Sequence, residues 1–518
     1  MTGAEMIFKT AADAGVEICF ANPGTTELAL VAALDTVKSV RPVLGLFEGV
    51  CTGAADGYGR IKQKPAMTVL HLGPGFANGI ANLHNARRAR TPLLNIIGEH
   101  TTWIRPYDPP LNMDIASLAR TVSGWQKEST SADTLSADTA SAIAESLYGQ
   151  VSTLIVPANY QVATCKAEEI ARPQFSFAAA DEEMLLYAAS MIQEAKKPAL
   201  ILGGRALRPQ GLAAAAQIKA KTECDLLMIT FPAYYEAGAG LPVLKRIPYF
   251  PEQAQKFLAR YDAFVLVGTN EPTAFFGYEG GATSFLPEKA PCVRIDTNKQ
   301  DAGFVLEELS SVLGPDAGQN ELRPVLAGLA LPPLPSGDLN SQKMCAAIAA
   351  LQPEGCIVVE EGVSSGAAYY DYSPQLKPYS HLTLTGGAIG MGMPLALGAA
   401  LAAPDRQVID IQADGSAMYT LQALWSQARE KTKVITVICS NRKYFILEVE
   451  CLRAGYITMG NAAKSLMSLD SPPLDWVSLS RGMGVPAASV ATAEAFIAEF
   501  QAALKEPGPY LIETIMGG

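Results

Sequence analysis

The chain has 518 residues, of which 49% are hydrophobic and 18% are charged, and this composition excludes a mainly disordered protein. Its formal charge of -11 argues against a broad nucleic-acid-binding surface, because such surfaces need clustered basic residues. No stretch approaches about 18 uninterrupted apolar residues, and the first residues lack a signal-peptide pattern, so we expect a cytoplasmic protein without a membrane segment.

Short apolar runs alternate with longer amphipathic stretches along the whole chain. In the first third, the predicted strands are residues 16–21, 42–47, 66–72 and 92–98, and predicted helices cover 27–37 and 49–63. The predicted strands of the other two thirds are residues 198–204, 224–230, 262–270, 291–298, 355–362, 406–415, 433–441 and 509–515. This alternation is typical of parallel sheets covered by helices on both faces, so the predicted fold class is α/β.

Two segments interrupt the alternation, and we interpret both as linkers. Residues 165–182 mix charge, proline and small residues, and residues 328–338 are rich in proline and glycine. They divide the chain into an N-terminal domain at 1–165, a middle domain at 183–327 and a C-terminal domain at 339–518. At about 150 residues per domain, the chain length also predicts three domains. Each is predicted to be a doubly wound α/β unit.

The C-terminal third carries two polar residues at the ends of predicted strands. Asp414 follows the run QVIDIQA, and Asn441 follows KVITVICS, at a spacing of 441 − 414 = 27 residues. Because one β-α-β unit takes about 30 residues, both side chains are expected at the carboxyl ends of parallel strands, where ligands bind. Their oxygens suit Mg²⁺ or Ca²⁺, and the helix that follows Gly415 offers N–H groups to phosphate. An ordinary turn and a strand-end cap explain these residues equally well.

Several segments, in the same order, resemble thiamine diphosphate-dependent 2-oxo acid decarboxylases and acetohydroxyacid synthases. The stretch ADGSAMYTLQALWSQAREKTKVITVICSN resembles the cofactor signature of this family, with Ala413 and Ser440 in place of the usual glycine and asparagine. The other matching segments are CFANPGTTELAL, GLFEGVCTGAADGYGR, VLHLGPGFANGIANLHNARRARTPLLNIIG and LTGGAIGMGMPLALGAAL. The resemblance covers all three domains. It is strongest to benzoylformate decarboxylase and to acetolactate synthase large-subunit-like proteins, and it implies pyrimidine-binding, middle and diphosphate-binding domains.

The resemblance implies how the cofactor is held. Asp414, Asn441 and the main-chain carbonyl of Lys443 would bind Mg²⁺ or Ca²⁺, and the metal would bind the diphosphate. Ile389 would support the folded cofactor, and Gly387 would accept a hydrogen bond from its amino group. The remaining implied cofactor contacts are Asn78, Ser364, Met391, Gly415, Ser416 and Ile446.

The resemblance also implies the catalytic and substrate-binding residues. Glu48 matches the glutamate that assists proton transfer at the aminopyrimidine ring of the cofactor. His71 matches a histidine of benzoylformate decarboxylase that faces the substrate, although a histidine after a strand is often structural. That enzyme has a second histidine in its middle domain, which this chain lacks. Further residues implied to contact substrate are Thr25, Phe275, Phe276 and Leu447.

The implied activity is acetolactate synthase-like: a 2-oxo acid loses CO₂ to give a carbanion-enamine, which is ligated to a second carbonyl compound. Two alternatives stay open, a decarboxylase that releases an aldehyde and a catalytically retired regulatory or binding subunit, the latter suggested by Ala413 and Ser440. The resemblance further implies a homodimer or homotetramer with active sites at the chain interface. The middle-domain segment ALILGGRA could hold FAD or ADP, but the full G-x-G-x-x-G pattern is absent, so an empty site is favoured.

Overall fold

The computed structural model describes residues 1–166, 170–277, 279–281, 283–456 and 459–516. The strands are β1 (Ile18–Asn22), β2 (Arg41–Leu44), β3 (Ala66–His71), β4 (Leu93–Glu99), β5 (Trp125–Glu128), β6 (Val151–Pro157), β7 (Pro198–Leu202), β8 (Asp225–Met228), β9 (Tyr235–Ala237), β10 (Lys245–Arg246), β11 (Ala263–Val267), β12 (Cys292–Arg294), β13 (Ile357–Glu360), β14 (Tyr379–Thr383), β15 (Val408–Ala413), β16 (Val434–Ser440), β17 (Ala487–Val490) and β18 (Tyr510–Ile515). Every strand predicted from the sequence overlaps one of them.

Helices follow most of these strands. They are α1 (Gly3–Asp13), α2 (Leu28–Thr36), α3 (Glu48–Lys62), α4 (Leu72–Ala89), α5 (Ile115–Val122), α6 (Leu135–Ser146), α7 (Ala158–Val162), α8 (Glu182–Glu194), α9 (Pro209–Thr222), α10 (Pro251–Leu258), α11 (Ala302–Val312), α12 (Gln319–Leu322), α13 (Ser341–Leu351), α14 (Tyr369–Tyr372), α15 (Gly392–Ala402), α16 (Asp414–Ala417), α17 (Ala423–Glu430), α18 (Phe445–Arg453), α19 (Asn461–Ser465), α20 (Trp476–Gly482) and α21 (Ala493–Ala503). Within the described part of the chain, no helix combines the length and apolar character that crossing a membrane requires.

The chain divides into two compact units, and the first contains two parallel sheets. This unit comprises residues 1–175, 332–370 and 384–518. Its N-terminal sheet has the strand order β2-β1-β3-β4-β6-β5, and the C-terminal strands of the unit follow the order β17-β18-β16-β15-β13. The paired strands of both sheets run parallel. The central strands β4, β6 and β16 are buried along their whole length, which explains their largely apolar sequences.

The second unit, residues 176–331 and 371–383, has a third parallel sheet. Its strand order is β10-β8-β7-β11-β12, and β9 pairs with β14 in the antiparallel sense. Three mainly parallel sheets confirm the predicted α/β class. The antiparallel pair joins residues about 145 positions apart in the sequence, and strand-helix alternation carries no signal for such a pairing. The predicted domain boundaries stay a prediction.

Within the first unit, α3 packs closely against α15. A Cβ atom on Gly398 would overlap the main-chain oxygen of Ala54, and one on Gly57 would overlap that of Leu395. Small residues therefore let the two helix backbones approach one another. One hydrophobic cluster continues across this contact and includes the fully buried Met393. The contact is important for the site, because α3 begins at Glu48 and α15 follows the segment with Gly387 and Ile389.

Candidate active site

Unusual backbone angles mark three positions that lie just after strand ends. Leu72, Val363 and Arg442 have φ values of 51°, 45° and 57°. The other described non-glycine residues with positive φ are caps at the ends of helices, where this conformation is ordinary. For bulky residues elsewhere it costs about 1–3 kcal/mol and is found mainly at functional sites. These three positions, after β3, β13 and β16, therefore indicate a candidate site.

Asp414 and Asn441 lie at the carboxyl ends of adjacent parallel strands, as their spacing predicts. Ala413 at the end of β15 pairs with Cys439 near the end of β16. The Asp414 Oδ2 atom accepts a 2.6 Å hydrogen bond from the Arg442 N–H, so the two strand ends are joined directly. The Asn441 Oδ1 atom accepts a 3.1 Å hydrogen bond from the Lys443 N–H. Each side-chain oxygen keeps a lone pair for a further partner.

The electrostatics of Asp414 suit a cation. The residue is 2% exposed, and burial raises the pKa of its carboxyl group to about 6. The neighbouring charge of Glu513 is also negative and acts in the same direction. The described residues contain no cluster of three His, Cys, Asp or Glu side chains suited to a metal. The oxygen set of Asp414, Asn441 and the Lys443 carbonyl nevertheless fits a hard cation that is completed by phosphate and water.

The residues around Asp414 are closely packed. A Cβ atom on Gly415 would lie 2.5 Å from the Tyr444 ring, so a larger residue would displace that ring. The Ser416 hydroxyl donates a 2.7 Å hydrogen bond to Gln412 Oε1. Ala413 has φ -90° and ψ 146°, an extended conformation that any residue adopts. Replacing the usual glycine by alanine therefore requires no change in the backbone at this position.

The segment with Gly387, Ile389 and Met391 approaches α16 within the same unit. The carbonyl oxygen of Gly390 accepts a 2.8 Å hydrogen bond from the Thr420 hydroxyl, just beyond α16. Gly387 is exposed with φ 75°, Ile389 is half-buried, and Met391 is fully buried. A positive φ at Gly387 favours glycine there. The segment thus presents an open backbone and one half-buried apolar side chain.

Glu48 begins α3 and is only 7% exposed. Its Oε2 atom accepts a 3.0 Å hydrogen bond from Asn78 Nδ2 on α4. A Cβ atom on Gly75 would lie 3.0 Å from the other oxygen, Oε1, so glycine leaves space beside the carboxylate. The structure therefore brings together Glu48 and Asn78, which the sequence identified separately.

The side chain of Asn82 connects the start of α3, next to Glu48, to the segment before α15. Asn82 Nδ2 donates to the main-chain oxygen of Gly49 at 2.8 Å and to that of Gly390 at 3.3 Å. Asn85, one turn later, donates to the oxygen of Ala388 at 2.7 Å. Helix α4 thus fixes the end of the N-terminal sheet against the segment of the C-terminal sheet that precedes α15.

His71, the last residue of β3, is paired with a buried glutamate that sequence reasoning missed. Glu27 Oε2 lies 2.7 Å from His71 Nδ1 and also accepts from the Gly24 N–H at 2.9 Å. The Glu27 side chain is fully buried, whereas that of His71 is 22% exposed. The Thr26 hydroxyl donates to Glu27 Oε1 at 2.5 Å. With its Nδ1 held in this way, His71 presents Nε2 on the other side of the ring.

A sequence signal for Glu27 exists in the NPG-x-x-E stretch, and glycines explain how the side chains approach. A Cβ atom on Gly24 would overlap the His71 ring, and one on Gly98 would overlap the Glu27 carboxylate. Thr25, the predicted substrate contact, is exposed at this turn. Because Thr25 is exposed, its hydroxyl is accessible to a ligand.

The other predicted residues are placed as follows. Ser364 and Ile446 are half-buried, and Leu447 is 44% exposed on α18. Phe275 and Phe276 belong to the second unit, where the Phe275 ring packs edge-on against Phe231 at 5.3 Å. Their roles stay predictions.

Comparison with known proteins identifies the family to which the chain belongs. The family described as "Thiamine pyrophosphate enzyme, N-terminal TPP binding domain" matches residues 1–118, and the corresponding C-terminal TPP binding domain matches residues 362–514. A Mycobacterium tuberculosis protein, provisionally named acetolactate synthase large subunit IlvX, is 43% identical over 100% of this chain and 99% of its own length. The chain belongs to the thiamine pyrophosphate enzyme family.

Other members of the thiamine pyrophosphate enzyme family resemble the chain over nearly its full length. Benzoylformate decarboxylase of Pseudomonas aeruginosa is 28% identical, over 96% of both chains. The thiamine diphosphate-dependent 4-hydroxybenzoylformate decarboxylase of Rhodococcus jostii RHA1 is similar in structure, with a TM-score of 0.86, 25% identity and coverage of 100% and 99%. The two matched TPP binding domains contain Glu48 and Asp414 respectively.

Proposed function

We propose that the chain decarboxylates a 2-oxo acid and ligates the product to a second carbonyl compound, as an acetolactate synthase-like enzyme. The observation that carries this proposal is the 43% identity, over essentially the whole of both chains, to a protein provisionally named acetolactate synthase large subunit. The two TPP binding domains support thiamine diphosphate as the cofactor.

The residues of the C-terminal sheet would bind the cofactor. Asp414, Asn441 and the main-chain oxygen of Lys443 would hold Mg²⁺, and the metal would neutralise the diphosphate. Ile389 and Gly387 would support the ring end of the cofactor. When bound, thiamine diphosphate supplies the nucleophilic carbon and accepts the electron pair released with CO₂.

Residues at the ends of the strands of the N-terminal sheet would donate and accept protons. Glu48 would hold a proton at its carboxylate, and its hydrogen bond from Asn78 fixes the orientation of that group. Glu27 would hold His71 by its Nδ1 atom, so that His71 Nε2 donates to a substrate carboxylate or delivers a proton. The buried position of Glu48 would exclude water from the proton transfer.

A decarboxylase that releases an aldehyde is the second candidate. It is favoured by the His71–Glu27 pair, because a fixed proton donor beside the substrate would deliver a proton to the carbon that has lost CO₂ before ligation occurs. The 28% identity to benzoylformate decarboxylase is consistent with this candidate. Both candidates share the cofactor and the loss of CO₂. They differ only in whether the carbon that has lost CO₂ takes up a proton or reacts with a second carbonyl compound.

We also propose that the active enzyme is a homodimer or homotetramer. The resemblance described above implies that the complete site lies at a chain interface. Exposed apolar side chains in both TPP binding domains support this proposal. Among them are Trp103 and Tyr107 after β4, and Tyr419 after α16.

The test is CO₂ release from pyruvate and from benzoylformate, with Mg²⁺ and thiamine diphosphate, followed by identification of the products. The wild-type chain is compared with Glu48→Gln. The matched control is Glu182→Gln, because Glu182 also begins a helix but is exposed in the second unit. We expect CO₂ and acetolactate from pyruvate, a loss of at least about 10²-fold in Glu48→Gln, and no change in the control.

Aldehyde as the main product would favour the decarboxylase instead. Equal CO₂ release by wild type and Glu48→Gln would contradict the role of Glu48. Absence of release from either acid, despite demonstrated cofactor binding, would indicate a different donor substrate. Absence of cofactor binding would contradict both candidates and favour the retired subunit.

A further inference from the structure

Glu361 is a fully buried carboxylate that binds a run of three consecutive backbone N–H groups. It lies in the loop after β13. Its Oε1 atom accepts from the N–H of Gly390 at 2.7 Å and of Met391 at 3.0 Å, and its Oε2 atom accepts from that of Gly392 at 2.6 Å. These groups end the segment that contains Gly387 and begin α15. The carboxylate therefore fixes this segment relative to the C-terminal sheet.

A second side chain connects Glu361 to the segment after Asp414. Gln412 is fully buried on β15, and its Nε2 atom donates to Glu361 Oε2 at 2.7 Å. Its Oε1 atom accepts from the Ser416 hydroxyl at 2.7 Å and from the Ala413 N–H at 2.8 Å. One continuous chain of hydrogen bonds thus runs from Ser416 to the Gly390 segment.

The hydrogen bonds of Glu361 are fully used within the protein. A carboxylate has about four acceptor sites, and here four N–H donors occupy both oxygens. Bonds to a charged acceptor in a buried place are roughly twice as strong as neutral ones. A Cβ atom on Gly392 would lie 3.0 Å from Glu361 Oε2, so the carboxylate also lies directly against the backbone. Glu361 would therefore act on a ligand through the segment it holds.

We propose that Glu361 is a positioning residue that sets the Gly387–Met391 segment for the ring end of thiamine diphosphate. Gln412 couples that position to the Ser416 segment at the diphosphate end. The inference rests on the cofactor assignment proposed above. It predicts that loss of Glu361 weakens binding of the whole cofactor while leaving binding of its diphosphate group nearly intact, because diphosphate makes no use of the ring segment.

The experiment compares two ligands by titration calorimetry, Mg²⁺–thiamine diphosphate and Mg²⁺–inorganic diphosphate, on the full-length protein. Glu361→Gln removes the charge but keeps the shape, and its NH₂ group cannot accept from the two donors that bind the oxygen it replaces. We expect its affinity for thiamine diphosphate to fall by about 10-fold or more, and its affinity for diphosphate to change less than about 3-fold. The control is Asp475→Asn, which removes an exposed carboxylate from the start of α20. It should lower the midpoint of thermal unfolding slightly and leave both affinities unchanged.

A second variant covers the case in which Glu361→Gln does not fold. Gln412→Met breaks the connection to Ser416 but leaves the three backbone bonds of Glu361 in place. It should weaken binding of both ligands, because Ser416 also loses its acceptor, but binding of thiamine diphosphate should weaken more than binding of diphosphate. Equal weakening of both ligands, or unchanged binding of both, would overturn the inference. Failure of the wild-type protein to bind thiamine diphosphate would instead contradict the proposed function, and it would remove the premise of the inference.

Discussion

At the scale of single residues, His71 is oriented by a buried carboxylate. Its Nδ1 atom lies 2.7 Å from Glu27 Oε2. We predict that Glu27→Gln lowers kcat/KM for the 2-oxo acid by about 10²-fold, because a neutral amide replaces the charged carboxylate that fixes the ring and tautomer of the imidazole. Steady-state kinetics measure this effect.

A double-mutant cycle provides the control for Glu27. If Glu27 acts through His71, the substitution Glu27→Gln should cause no further loss in a His71→Ala background. Additive losses in the double variant would show that Glu27 acts independently and would contradict the assignment.

Asp410 gives a prediction for stability as a function of pH. Burial, reinforced by the charge of Glu361, raises the pKa of Asp410 well above 3.8. The folded state therefore keeps a proton that the unfolded chain releases above about pH 4, so stability falls as the pH rises from there towards the folded pKa. Asp410→Asn removes this titrating group. The thermal midpoint of the variant should therefore fall less between about pH 5 and pH 8 than that of the wild type.

Burial also raises the pKa values of Glu361 and Glu99, so part of the pH dependence will persist in Asp410→Asn. The exposed Asp405 lies just before β15, the strand that contains Asp410. Asp405→Asn is the matched control, and its thermal midpoint should change with pH as that of the wild type does. Identical slopes in wild type and Asp410→Asn would contradict the prediction.

At the scale of elements, the contact of α3 with α15 depends on glycine. Gly398→Ala should lower the free energy of unfolding by about 1–3 kcal/mol, because its Cβ atom would overlap the Ala54 oxygen and force the helices apart. Gly482→Ala is the control, since a Cβ atom there would meet no described atom within 4 Å. It should be neutral or stabilising by up to about 1 kcal/mol. Denaturant unfolding measures both, and equal effects would refute the packing argument.

Many of the elements could be predicted from the sequence, whereas their long-range partners could not. Apolar runs of strand length identified twelve of the eighteen described strands but missed β5, β6, β9, β10, β14 and β17. The spacing of Asp414 and Asn441 placed both at one sheet edge. The same reasoning missed Glu27, because its bond to His71 joins residues 44 positions apart. It also missed the bonds from Glu361 to the segment before α15. Motif spacing fixes where a strand ends but not which way a neighbouring loop turns its side chain.

At the scale of the whole molecule, the two TPP binding domains contain different parts of the proposed site. The N-terminal half contains Glu48 and the His71–Glu27 pair, and the C-terminal half contains Asp414 and Asn441. The departures at Ala413 and Ser440 do not disturb this division, since Ala413 has an ordinary extended conformation and Ser440 is buried within β16. The retired-subunit alternative therefore finds no support in the backbone at Ala413.

The central claim is that Asp414 and Asn441 hold a metal that binds thiamine diphosphate, and calorimetric titration of the cofactor tests it most directly. Wild-type protein should bind thiamine diphosphate with Mg²⁺ and lose that binding in excess EDTA. Asp414→Asn keeps the shape of the side chain but removes its charge, and should weaken binding by at least about 10-fold. Binding that is unaffected by both EDTA and Asp414→Asn, or absent from the wild type, would contradict the account.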